Sequence, residues 1–306
     1  MRRLPLLLLG ACLALVPLAA RASTPRAWDR VASWAIQLEA PDLDALAASP
    51  FDLLVLEYSA DGTDAGRLVK AQVEALQRKP DGSRRRVLAW LPVGLAARHR
   101  FYWSPEYQEG SPPWVGPPLP DWEGLYRVRY WDPDWHDLLY GGPGAWVDQV
   151  VEAGFDGVVV DPSDTWEFYE DQGWAPARTD MVDLVRALGT HARTHGGGAD
   201  FGVFVHDPGA LVNDPGLLRV LTGILQVGTW FGADQPGTAT EAGNSEALVA
   251  TGRVARLAGA LVLSLDLTED PDQVRQARAR SREQGFLEYA APPGLDRLQV
   301  LPDPQP

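Results

Sequence analysis

Gly154-Phe155-Asp156-Gly157-Val158-Val159-Val160-Asp161 decides the fold of this chain. Its centre is an unbroken β-branched run, opened by a glycine and closed by an acid. A strand with one wet face alternates polar and apolar residues. A continuous apolar run is buried on both faces, as in a parallel sheet covered by helices. The preceding residues agree: 145–153 carry apolar side chains at three- and four-residue spacing, the period of a helix with one buried face. Gly154 then stands where a left-handed helix cap belongs.

The same unit recurs along the chain. Strands are predicted at 34–38, 51–58, 87–93, 155–161, 201–206, 223–227, 261–267 and 286–290. Helices are predicted at 42–48, 65–77, 145–153, 180–195, 210–221, 245–258 and 272–284. Gly196, Gly259 and Gly285 stand at helix ends as Gly154 does. Eight strands alternating with helices favour one closed (β/α)8 TIM barrel, an α/β fold for which 306 residues are ample. No glycine-rich phosphate turn follows the first strand, which weakens the dinucleotide-binding alternative.

The N-terminus reads as a leader. Arg2 and Arg3 precede the apolar run 4–18, and Ala20-Arg21-Ala22 offers small residues to a signal peptidase. A signal peptide over 1–22 and a barrel over 23–306 are expected, with the product secreted or periplasmic. The run is too short for a stable membrane span. Cys12 is the single cysteine; lipidation there is the less favoured alternative, because the apolar run continues past it. The formal net charge of −14 argues against nucleic-acid binding. His191 and His195 share a helix face without a third ligand, so no metal site is expected, and no cofactor. A monomer is expected.

Between the third and fourth barrel strands lie about fifty residues with no clear helix, a length that is usually functional. This segment carries Tyr102, Trp103, Tyr107, Trp114, Trp122, Tyr126, Tyr130, Trp131 and Trp135. Indole and phenol faces stack on sugar rings, so Tyr102, Trp103, Tyr130 and Trp131 are expected beside the site. Trp114 and Trp122 are expected inside the loop.

Active sites of such barrels lie at the C-terminal ends of the strands. Those ends offer Glu57 and Tyr58, Asp161 and Asp164, His206 and Asp207, Gln226, and Asp266. Acids converging on one mouth suit glycosidic cleavage, one protonating the leaving oxygen while the other acts as base or nucleophile. Acids at strand ends can instead cap turns, and Asp161-Pro162-Ser163-Asp164 admits that reading.

Several of these stretches resemble the family 114-type glycoside hydrolases, the endo-α-1,4-polygalactosaminidases and their relatives. They are Phe51-Asp52-Leu53-Leu54-Val55-Leu56-Glu57-Tyr58-Ser59, Val87-Leu88-Ala89-Trp90-Leu91-Pro92-Val93-Gly94, Tyr130-Trp131-Asp132-Pro133, the opening octapeptide and Gly285-Phe286-Leu287-Glu288-Tyr289-Ala290. The resemblance spans about residues 30–300 and implies a TIM barrel that hydrolyses galactosamine-containing polysaccharide. It implies that Asp161 is the catalytic aspartate, with Asp164 and Asp266 matching further acids. It also marks departures: Leu95 and Ala97 stand where an acid pair is usual, Val227 where a second catalytic glutamate is usual, and His206-Asp207 in place of a Gln-Asn pair. Glu57 and Asp207 are therefore the candidate substitutes for the missing acid. Trp90, Tyr58, Tyr102, Trp103, Tyr130, Trp131, Asp164, His206, Gln226 and Asp266 are the expected sugar contacts. The competing expectation is a degenerate barrel that binds polysaccharide without hydrolysing it.

Overall fold

The computed structural model describes residues 28–300; the expected leader and Cys12 lie outside them. The strands in chain order are β1 (Trp34–Gln37), β2 (Leu53–Glu57), β3 (Arg86–Pro92), β4 (Leu95–Ala97), β5 (Val115–Pro118) and β6 (Leu125–Val128). They continue with β7 (Gly157–Asp161), β8 (Gly202–His206), β9 (Gly223–Val227), β10 (Leu261–Leu267) and β11 (Leu287–Ala291). The helices are α1 (Leu43–Ala48), α2 (Lys70–Leu76), α3 (Pro133–His136), α4 (Trp146–Glu152) and α5 (Thr165–Asp171). Then come α6 (Ala177–Ala192), α7 (Pro215–Val220), α8 (Ala242–Leu257) and α9 (Pro271–Gln284).

The eight expected strands form one parallel sheet in the order β1-β2-β3-β7-β8-β9-β10-β11. The first and last strands then meet. The Trp34 indole N–H donates to the Leu287 carbonyl at 2.8 Å, and its ring lies 5.7 Å from that of Tyr289. Above this seam the Leu38 and Glu39 N–H groups donate to the Leu295 carbonyl, tying the segment after β11 across the mouth. The result is a TIM barrel.

Three helices depart from expectation for local reasons. The predicted 65–77 helix starts at Lys70, because Asp61 accepts from the Thr63 N–H, its hydroxyl and the Ser59 hydroxyl, winding the earlier residues into a turn. The predicted 210–221 helix splits. Asp214 caps the Gly216 and Leu217 N–H groups and Pro215 opens a new helix, α7. The helix α6 ends in a wide turn that Gly196, at φ +110°, lets the chain leave. The long connection is not structureless either. It holds the antiparallel sheet β4-β6-β5 and the short α3, which Asp132 caps through the Asp134 N–H.

At the opposite end of the barrel, the fully buried Arg85 donates to the carbonyls of Leu46, Ala47, Ser49, Phe51 and Leu76. Several belong to the last turns of α1 and α2, where carbonyls lack helical partners. One guanidinium therefore satisfies two helix ends and the entry to β2. Arg85→Met is expected to lower the unfolding free energy by roughly 3 kcal/mol, since the carbonyls of Ala47, Ser49, Phe51 and Leu76 lose their donor while that of Leu46 keeps the Ser49 N–H and hydroxyl. Urea denaturation checks this, and an unchanged midpoint would show that the guanidinium is dispensable.

Candidate functional site

β7 and β8 end side by side, so Asp161 and His206 emerge together at the mouth. One Asp161 carboxylate oxygen accepts from His206 Nδ1 at 3.0 Å, from the Ser163 N–H at 2.8 Å and from the Ser163 hydroxyl at 3.3 Å. His206 Nε2 lies 3.1 Å from Asp207 Oδ2, and Asp207 Oδ1 accepts from the Val227 N–H at 3.1 Å. The three side chains thus form a row, carboxylate–imidazole–carboxylate. An imidazole bonded at both nitrogens limits how far apart its acceptors can be. The two bonded oxygens lie no more than about 8.5 Å apart, below the upper limit of roughly 9.5 Å for a catalytic carboxylate pair.

The electrostatics follow from the row. Burial alone would strip the His206 proton, but the carboxylates of Asp207 and Asp161 outweigh it and push its pKa up to about 10. Burial acts to raise the pKa of Asp161; the His206 charge and the hydrogen bonds from His206 and Ser163 outweigh it and hold this carboxyl below its usual value. Two residues that follow the strand ends carry positive φ without being glycine, Ser163 at +50° and Asp207 at +35°. Such backbone costs about 1–3 kcal/mol per residue and collects at functional sites. Here it turns the Ser163 N–H onto Asp161 and sets the Asp207 carboxylate against His206.

Beside the row lies a cavity of about 360 Å³, within the size range of ligand sites. Trp90, His206 and Asp207 line it together with Ile36, Leu38, Leu225, Val227, Ala233, Leu265 and Leu295. The Trp90 ring sits 4.9 Å from the His206 ring. A hollow of similar size, about 370 Å³, surrounds Tyr58, Arg67 and Gln149. It contains none of the three residues of the row.

Of the residues singled out in the sequence, the structure brings Asp161, His206, Asp207 and Trp90 together. Glu57 stays at the mouth, level with Trp90 in the β2–β3 register, and the remaining residues go elsewhere, each held by a specific partner. Glu57 is tied by both oxygens to Arg100, at 2.8 and 3.1 Å, so its charge is already matched. Tyr58 donates to Gln149 of α4, in the second hollow. Asp164 is exposed and paired with Arg127. Gln226 turns to the helix layer and donates to the Leu248 carbonyl of α8. Asp266 is fully buried and accepts from the Trp230 and Phe231 N–H groups, holding the loop after β9. Burial pushes its pKa up to about 6, and that of Glu288, facing Arg278 of α9, to about 7.

The rings expected beside the site pack chiefly on one another. Tyr102, Trp103, Tyr130 and Trp131 are not among the residues lining the cavity. Tyr102 packs edge-on against Phe101, Trp114 and Trp135. Trp103 stacks on Tyr126, buried Tyr130 donates to the Ala177 carbonyl, and Trp131 stacks on Trp174. Trp114 is buried as expected, whereas Trp122 is 65% exposed. The rings of the long connection thus pack on one another and join the hydrophobic core of the barrel. Sequence reasoning passed over Arg100, Ser163 and Leu295. Leu295 had no readable signal, because only closure of the barrel carries its segment over the mouth.

A model of glycoside-hydrolase family GH114 matches residues 17–203. An uncharacterized protein of Deinococcus radiodurans is 30% identical over 294 residues, 92% of this chain and 87% of that one. The uncharacterized protein MJ1477 of Methanocaldococcus jannaschii is 32% identical over 162 residues, 52% of this chain and 44% of its own length. The match thus spans less than half of that relative. Among solved structures, the glycoside hydrolase domain of PgaB (BpsB) from Bordetella bronchiseptica shares the fold. Its TM-score is 0.56 at 15% identity, over 87% of this chain and 95% of that domain.

The row predicts a pH signature. His206 has a folded pKa of about 10 against about 6.5 when unfolded, so its stabilisation is complete below about pH 6.5 and is lost as pH rises towards 10. His206→Gln should flatten that decline in stability, measured by urea denaturation at a series of pH values. Wild-type stability that is level from about pH 6.5 to 10 would contradict the charged row.

Proposed function

The chain belongs to glycoside-hydrolase family GH114, and from that premise we propose that it hydrolyses glycosidic bonds of a galactosamine-containing or related polysaccharide at the barrel mouth. The observation that carries the proposal is the Asp161–His206–Asp207 row beside the cavity. In this reading Asp161, held ionised, is the base that takes a proton from the attacking water. Asp207, whose side chain is 38% exposed, is the acid at the leaving oxygen. The proton that Asp161 takes from water leaves to solvent and Asp207 takes one back from solvent, while the His206 imidazolium keeps both its N–H groups and holds the two carboxyls in place. The cycle closes with no net proton change. The apolar run 4–18 supports the further proposal that the enzyme works outside the cytoplasm, where polysaccharide is met.

Two observations favour a second reading, binding without turnover. Val227 lines the cavity where the family resemblance places a glutamate, and Glu57 is neutralised by Arg100. Reducing-end release and calorimetry on the same oligosaccharides separate the two. For the hydrolase, Asp161→Asn and Asp207→Asn should each lower turnover at least about a hundredfold while binding changes by only a few-fold. Saturable binding with no product from the wild type would establish the binding protein instead.

A further inference from the structure

Leu225 and Leu265 face the mouth cavity, so their neighbours in β9 and β10 face the helix layer. There Gln226, Ser264 and Glu288 lie level on β9, β10 and β11, with Ser264 in register between the other two. Asp266 stands two residues further along β10 on the same face, near enough to feel the Ser264 hydroxyl and to act on Glu288. All four side chains are buried. Asp266 Oδ2 and Glu288 Oε1 meet no donor among the described residues. An ionised carboxylate only accepts, so two of them in one dry cluster lack a donor that a single proton would supply.

The surrounding charges are few. Arg278 of α9 donates to Glu288 Oε2 at 3.2 Å, and Arg280, over the Trp230 ring, acts on Asp266 from further off. β9 contributes the neutral Gln226, and α8 contributes Gly252 and the Leu248 carbonyl beside it. Burial outweighs both arginines and pushes Asp266 up to about 6 and Glu288 to about 7. The remaining oxygen of Asp266, Oδ1, accepts from the Trp230 and Phe231 N–H groups at 2.7 and 2.8 Å. The loop that these residues open carries Ala233 to the cavity wall.

We propose that Asp266 and Glu288 hold one proton between them and that this proton is a pH-sensitive latch on the loop after β9. With the proton on Glu288, its carboxyl donates to the Ser264 hydroxyl, Ser264 donates to Asp266 Oδ2, and Asp266 stays on the two N–H groups. With the proton lost, two carboxylates face each other out of water with one guanidinium in contact, and opening of the loop relieves them. Both folded pKa values lie above the unfolded ones of about 4, so this stabilisation is complete below about pH 4 and is lost as pH rises through about 6 to 7.

Amide hydrogen exchange of the full chain, corrected for the intrinsic rate at each pH, reads the latch at the Trp230 and Phe231 amides. Their protection is taken relative to the Val159 amide of β7, which cancels changes in whole-chain stability. That ratio should fall about tenfold between about pH 6 and 8, because each pH unit above the pKa makes a state with the acid ionised tenfold easier to reach. Glu288→Gln and Asp266→Asn each remove one charge and leave a donor in its place, so each should hold the ratio level over that range. A wild-type ratio that is level from about pH 6 to 8 overturns the latch, and so does an undiminished fall in either variant.

Discussion

A parallel sheet of eight strands becomes a barrel only if its two edges meet, and here that constraint rests on side chains. Trp34 reaches from β1 to the Leu287 carbonyl of β11 and packs beside Tyr289. Gln37, buried on the same strand, donates to the Asp296 carbonyl at 2.8 Å. Closure has a consequence at the mouth. It draws the chain after β11 over the strand ends, where Leu295 joins Ile36 and Leu38 as cavity wall. Edge pairing, cavity shape and ligand chemistry are therefore one problem. A change at the seam should be felt by the ligand even though Trp34 touches none.

The barrel strands were legible because each is an apolar run buried on both faces, which no competing element reproduces at that length. The three-stranded sheet was not legible: β4 has three residues, and β5 contains Pro117 and Pro118, which argue against a strand. The helix α5 was also missed, because Thr165–Asp171 is short and mixes acids with aromatic rings. Ring density misled in a physical way. Aromatic side chains satisfy one another edge-on as well as they satisfy a sugar, and the long connection uses them to pack onto the barrel.

In the site, legibility failed at the level of one residue. Strand side chains alternate, so neighbours at a strand end face opposite ways. In β9 and β10 the inward positions are Leu225, Val227 and Leu265, while Gln226 serves the helix layer and Asp266 the adjoining loop. Reading the polar residue of each pair as the functional one picked the outward face. Asp161 escaped this error because its partner, His206, ends the neighbouring strand. Glu57 could not be judged without Arg100, which lies in a loop 43 residues away in sequence.

What remains is a small charged row set against an aliphatic wall, and the account depends on sugar being held between them. The most direct measurement is a structure of the chain with a galactosamine oligomer bound. The account predicts one sugar ring against Trp90 and a glycosidic bond at reacting distance from the row, about 3–3.5 Å from the groups that exchange protons with it. An oligomer found instead in the hollow beside Tyr58 and Gln149, with the mouth cavity empty, would contradict it.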